Sequence, residues 1–342
     1  MGQTTDKKEQ PIKKKGAFIL HRESFEKIYG AEGLERAGEH LDIVTPPLTA
    51  AEAVGRLTAL SEVAVILSGW GAPKMDAEFL KALPKLEAVF YGAGSVRGFV
   101  TDEFWERGIT LTSSWGANAI PVVEYTLSQV LFALKRGWYF VLRHKETGEP
   151  VQKVLVAGAY GSTVGIVSLG MIGRMMCEHL SRFDVNVIAF DPFVDEFEMK
   201  RLGAEKCSLD DLFRRSDVVS LHTPWLPETV GLIEGRHFEM MKPGSTFINT
   251  ARGAVIREEE MLDVLERRPD LYAVLDVTYP EPPRPDSRIH RLGNVVWTPH
   301  IAGSQDGECR RMGEYVFRML EEYLAGRPLE WRVTKEMAAR MA

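Results

Sequence analysis

The sequence predicts an α/β protein of two domains, a smaller α/β domain followed by a doubly wound parallel sheet. Three observations predict it. Short apolar runs alternate with segments of helical periodicity from Gly16 onward. Strand, glycine-bearing turn, helix, strand and terminal acid succeed one another between Thr163 and Asp191. In the second half, polar residues collect directly after the apolar runs.

In the first half, strands are expected at 17–20, 41–45, 63–69, 87–92 and 109–114, with helices at 24–38, 49–60, 76–86 and 100–108. Trp70, Tyr91 and Trp115 end or follow strands there, where open parallel sheets place ligand contacts, although rim or core packing explains each equally well. One long amphipathic helix is expected over 116–145, then a surface excursion at 147–162.

The central segment carries the most specific chemistry. Val164–Leu169 reads as a strand, and Ile172, Met176 and Leu180 share one helical face. Between them, Ser168-Leu169-Gly170-Met171-Ile172-Gly173 follows the GxGxxG pattern with serine in place of the first glycine. The helix N-terminus behind it offers free N–H groups to a pyrophosphate. Asp191 closes the next strand, placed to accept a hydrogen bond from a ribose 2′-OH and to repel a 2′-phosphate, which favours NAD over NADP.

Further strands are expected at 217–222, 245–250, 273–278 and 295–300, making about six, with a helix over 257–268 and a last helix ending at Gly326 before Pro328. Gly170, Asp191, His222, Thr223, Thr250, Ala251, Arg252, Asp276 and His300 all follow strands. In a parallel sheet the carboxyl ends share one edge, so these residues converge on one crevice. Arg252 offers a permanently charged planar fork for a carboxylate. His300 suits proton transfer near neutrality, and Glu281 in the proline-rich loop 279–285 is placed to orient it and stabilise its charged form. Asp276 either meets the nicotinamide end of a cofactor or caps a turn, and His222 and Thr223 line the cofactor or close a strand end.

Composition excludes other classes. With 342 residues, 45% hydrophobic and 26% charged, the chain reads as a soluble globular protein, and a net charge of −6 disfavours nucleic acid or an anionic membrane as partner. No apolar run is expected to span a membrane, because Glu124 interrupts the best one. Cys177, Cys207 and Cys309 are odd in number and scattered, which fits reduced thiols in a cytoplasmic protein. Nothing has metal-ligand spacing, so no metal is expected.

The motifs GIVSLGMIG, AFDP, LHTPWLPETVGLI, MKPGSTFINTARGAVI, LDVTYPEPP and TPHIAGS, in this order, resemble those of the D-isomer-specific 2-hydroxyacid dehydrogenases. The resemblance covers about residues 17–335. It implies a Rossmann NAD-binding domain at 119–303 and a flavodoxin-like substrate domain at 16–118, completed by 304–342; residues 1–15, polar and lysine-rich, are expected on composition to be a disordered tail. It further implies a homodimer formed through the cofactor domain and a small 2-oxo or 2-hydroxy acid substrate.

By position, the resemblance makes Arg252 the group that binds the substrate carboxylate and carbonyl, His300 the acid/base and Glu281 its partner. Ser168, Gly170, Met171, Ile172, Gly173, Asp191, His222, Thr223, Pro224, Thr250, Ala251 and Asp276 fall on cofactor positions. Trp70, Ala93, Gly94, Ser95 and Asn118 fall on substrate positions. This chain departs from the pattern at Ser95, where glycine is common, and at Arg97, where an acid is common. Because the resemblance extends to corepressors of the C-terminal-binding-protein type, an NAD(H)-sensing binding protein is the alternative.

Overall fold

The computed structural model describes residues 13–341. The expected tail, 1–15, lies outside them up to residue 12, and its last residue already belongs to the first strand. The chain divides into two compact units. The first comprises the residues up to Ala117 together with Asp306–Ala339; the second comprises Asn118–Gln305, to which the chain end from Arg340 is also assigned.

The first unit holds five parallel strands: β1 (Lys15–Ile19), β2 (Asp42–Ile43), β3 (Val65–Ser68), β4 (Ala88–Tyr91) and β5 (Thr110–Ser113). Their order, β2-β1-β3-β4-β5, is the flavodoxin-like one. β3 and β4 are buried throughout, VILS and AVFY, as strands covered on both faces must be. The expected helix 24–38 is two helices, Arg22–Ile28 and Gly30–His40, because Gly30 turns the chain at φ +60°. Helix Cys309–Leu324 packs Met312, Val316, Phe317 and Leu320 into the same core as Phe18, Tyr29, Leu67 and Phe90.

The second unit holds seven parallel strands rather than about six: β6 (Thr163–Val167), β7 (Asn186–Phe190), β8 (Ala204–Lys206), β9 (Val218–Leu221), β10 (Thr246–Asn249), β11 (Tyr272–Leu275) and β12 (Val295–Trp297). The order is β12-β11-β10-β9-β6-β7-β8. The direction of progression reverses between β6 and β9, which is the switch point where doubly wound sheets bind ligands. The α/β class and the two parallel sheets are as the sequence predicts.

Two further expectations about helices are corrected. The single helix at 116–145 is Trp115–Leu134 followed by Gly137–Thr147, broken where Arg136 adopts a left-handed conformation at φ 51°. Arg136 is held there by a hydrogen bond to the Asp270 carbonyl at 3.3 Å and by its guanidinium lying 4.8 Å from the Tyr139 ring centroid. By length and composition, Trp115–Leu134 does qualify as a membrane span, Glu124 notwithstanding, but half of its apolar window is buried inside the fold, as in a core helix.

Candidate active site

The turn after β6 is built by its neighbours. Ser168 sits at φ 76°, the left-handed conformation that favours glycine. Its N–H donates to the Phe190 carbonyl at 2.8 Å, and its hydroxyl pairs with that of Thr223 at 2.8 Å. That pairing offsets part of the cost of carrying a side chain in this conformation. Gly173 is required by packing: a Cβ there would lie 2.1 Å from the Ser168 carbonyl oxygen. Gly170, which caps helix Met171–Leu180, has no atom within 4 Å of a Cβ position, so its surface stands open. Met171 and Ile172 form the first turn behind it. An open backbone at a helix N-terminus fits a pyrophosphate.

Asp191 is buried at the end of β7. One carboxylate oxygen accepts from the Leu169 N–H and the other from the Phe193 N–H, each at 2.8 Å. It therefore fixes the turn, a duty its position alone does not reveal. Arg174 also shapes the turn, donating to the Leu169 carbonyl at 2.8 Å while pairing with Glu198 at 2.6 Å. Sequence reasoning passed over it, although an arginine one residue after the third glycine is a readable signal.

β9 and β10 end beside this turn in the sheet. His222 Nε2 meets the Ser220 hydroxyl at 2.9 Å, its Nδ1 is buried without a partner, and burial pushes its pKa down to about 4. Pro224 follows, its carbonyl accepting from Thr229 at 2.6 Å. The Thr250 hydroxyl pairs with that of Thr126 at 3.0 Å. Asn249, which the sequence did not single out, shapes the arginine loop. Its side chain accepts from the Ala251 N–H at 2.9 Å and donates to the Arg252 carbonyl at 3.1 Å. The Arg252 guanidinium donates to the Ala251 carbonyl at 2.6 Å. Burial lowers its pKa, and the nearby Glu281 carboxylate opposes that shift.

Asp276 at the end of β11 organises the loop that carries His300. Its carboxylate accepts from the Thr298 hydroxyl at 2.6 Å and from the Ile301 and Ala302 N–H groups at 2.9 Å, and its carbonyl accepts from the His300 N–H at 2.9 Å. Of its two expected roles, turn-capping is the one these bonds describe. The loop is tight enough that His300 adopts φ 55°. His300 Nδ1 and Glu281 Oε1 are 2.7 Å apart on half-exposed side chains. Nε2 is therefore the ring nitrogen that Glu281 leaves unengaged. Arg252, Glu281 and His300 thus gather at the carboxyl edge of the second sheet.

The remaining expected residues are held as follows. In the first unit, the carbonyls of Ala93 and Gly94 accept from the Ser113 hydroxyl at 2.8 and 2.5 Å. The N–H groups of Gly94 and Ser95 donate to no backbone carbonyl among the described residues. Trp70 is partly exposed, and its carbonyl accepts from the His21 N–H at 2.9 Å. In the second unit, Asn118 is tied down by the Ser304 N–H at 2.9 Å. No group of metal-ligating side chains occurs among the described residues.

Residues 129–302 match the model of the D-isomer specific 2-hydroxyacid dehydrogenase NAD-binding domain. The chain is 34% identical over 232 residues to an (S)-sulfolactate dehydrogenase from Chromohalobacter salexigens, covering 67% of this chain and 75% of that one. It is 32% identical over 231 residues to a D-3-phosphoglycerate dehydrogenase from Archaeoglobus fulgidus, covering 68% of this chain and 44% of that one. The chain spans about half the length of the phosphoglycerate dehydrogenases it matches. A phosphoglycerate oxidoreductase from Rhizobium etli shares its fold, with a TM-score of 0.79 at 22% identity over 96% of this chain and 99% of that one. The chain belongs to the D-isomer specific 2-hydroxyacid dehydrogenase family, and its second unit carries that family's NAD-binding domain.

Proposed function

We propose that the protein transfers hydride reversibly between NAD(H) and a D-2-hydroxy acid or its 2-oxo counterpart. The observation that carries this reading is the 2.7 Å contact between His300 Nδ1 and Glu281, beside the enclosed guanidinium of Arg252. NAD, when bound, supplies or accepts the hydride at C2. Arg252 holds the carboxylate through its planar fork and polarises the carbonyl. In the reducing direction His300 donates its Nε2 proton to the carbonyl oxygen, and Glu281 stabilises the imidazolium and fixes the ring. The open Gly170 surface and the helix behind it take the pyrophosphate, and Asp191 takes the adenosine ribose. The relatives it matches are named dehydrogenases and reductases, which favours hydride transfer over NAD(H) sensing. On the family resemblance, we also read the chain as a homodimer through its cofactor unit.

The test is NADH oxidation against glyoxylate, hydroxypyruvate, pyruvate and phenylpyruvate, with NADPH in parallel. NADH is expected to be preferred. Arg252→Ala is expected to lower kcat/KM by about 10³-fold, the loss typical of truncating one partner of a buried charge pair. His300→Asn is expected to lower kcat by about 10²- to 10⁴-fold. An Arg252→Ala enzyme as active as its parent would remove the assignment.

A further inference from the structure

Glu281 is held against His300 by a loop with few fastenings of its own. Residues 279–282, Tyr-Pro-Glu-Pro, are exposed, whereas Val277 and Thr278 before them are buried. Pro280 and Pro282 have no N–H to donate. Among the described residues, two hydrogen bonds engage the backbone of this run. The Thr278 hydroxyl donates to the Pro280 carbonyl at 2.8 Å, a bond internal to the loop, and the Tyr279 N–H donates to the Glu258 carboxylate at 3.1 Å. The second ties the run to another element, because Glu258 opens helix Glu258–Arg267. The Tyr279 ring adds a contact with Trp225, 5.5 Å between centroids.

Three glutamates begin that helix, and they are not used alike. Glu259 pairs with Arg288 at 2.7 Å; Glu260 pairs with Arg257 at 3.2 Å and accepts from the Gly235 N–H at 2.8 Å. Glu258 has no cation beside it among the described residues. It is half-buried, and burial raises its pKa, an effect that the Tyr279 N–H opposes and the Glu259 charge reinforces. The helix dipole favours an acid in this turn, but it favours an exposed one equally. The burial of this carboxylate is accounted for by its bond to Tyr279. The same peptide group packs against Gly253, so Glu258 fastens the point where the arginine loop and the Glu281 loop meet.

We propose that Glu258 is a positioning residue: by holding the Tyr279 N–H it keeps Glu281 in contact with His300 Nδ1. This role rests on the hydride-transfer reading above.

The test is a double-mutant cycle on 2-oxo acid reduction by NADH, in wild type, Glu258→Ala, Glu281→Ala and the double variant, with thermal melts to establish folding. Glu258→Ala is expected to lower kcat by about 10- to 100-fold, toward the loss that a 1 Å misplacement brings, with KM changing less. In the Glu281→Ala background the same substitution is expected to change kcat by no more than about twofold, because it acts through Glu281. Glu258→Gln keeps an acceptor for the Tyr279 N–H and is expected to hold kcat close to wild type. Should Glu258→Ala not fold, Glu258→Asp, one methylene shorter, takes its place in the cycle. Parental kcat in Glu258→Ala, an equal fall in both backgrounds, or a Glu258→Gln enzyme as impaired as Glu258→Ala overturns the proposal. If wild type reduces no acid, the hydride-transfer reading fails, and crystal structures of wild type and Glu258→Ala decide the positioning alone. Contact between His300 Nδ1 and Glu281 in wild type but not in the variant supports it, and contact in both overturns it.

Discussion

His222 stands at the end of β9 with Nε2 satisfied by Ser220 and Nδ1 enclosed without a partner, and its pKa is pushed down to about 4 by burial. In the unfolded chain a histidine titrates near ~6.5. Between these values the unfolded state binds the proton and the folded state does not, so stability falls as the pH drops from about 6.5 to about 4 and is fully present above that window. Carboxylates titrate in the same range, so a variant must isolate the effect. Urea unfolding of wild type and His222→Asn at pH 7 and pH 4.5 is expected to show wild type losing roughly 2–3 kcal/mol more than the variant. Equal losses would mean that the imidazole protonates in place. Ser168 shows the opposite economy at the same scale. Its left-handed backbone costs about 1 kcal/mol relative to glycine, and its hydroxyl bond to Thr223 returns a similar amount, so the fingerprint tolerates a serine.

Among the elements, the loops after β10 and β11 are locked together at Gly253. A Cβ there would lie 2.1 Å from the Thr278 carbonyl carbon and 2.6 Å from the Tyr279 nitrogen. Because those atoms are backbone, Gly253→Ala must move either the arginine loop or the loop leading to Glu281. A displacement near 1 Å costs about 10²-fold in rate where groups must be aligned. Steady-state kinetics are expected to show that loss in kcat. Parental kcat in this variant would separate the loop from the chemistry. The strand-end residues were legible at this scale because parallel strands force them to one edge. What stayed illegible has local causes. β8, Ala204–Lys206, has one buried residue in three and so no apolar signal. The break at Arg136 depends on contacts to Asp270 and Tyr139, which no periodicity reports. Asn249 shapes the arginine loop through bonds to the backbone of Ala251 and Arg252, which composition does not show.

At the scale of the whole molecule, the first unit is discontinuous in sequence, and that makes its stability depend on the chain's far end. Helix Cys309–Leu324 contributes Met312, Val316, Phe317, Met319 and Leu320 to the core containing Phe18, Tyr29 and Phe90. Burying each such side chain stabilises by about 1.5–3 kcal/mol, so together they supply on the order of 10 kcal/mol. That matches the whole net stability of a typical domain, about 5–15 kcal/mol. Truncation after Gln305 is therefore expected to unfold the first unit while the second, whose seven strands all lie between Thr163 and Trp297, stays folded. Hydrogen exchange on the truncated chain should show the amides of β1–β5 unprotected and those of β6–β12 protected, with NADH binding retained. Protection persisting in β3 and β4, the most buried strands of the first sheet, would mean that the residues before Ala117 form a sufficient core without the returning helix.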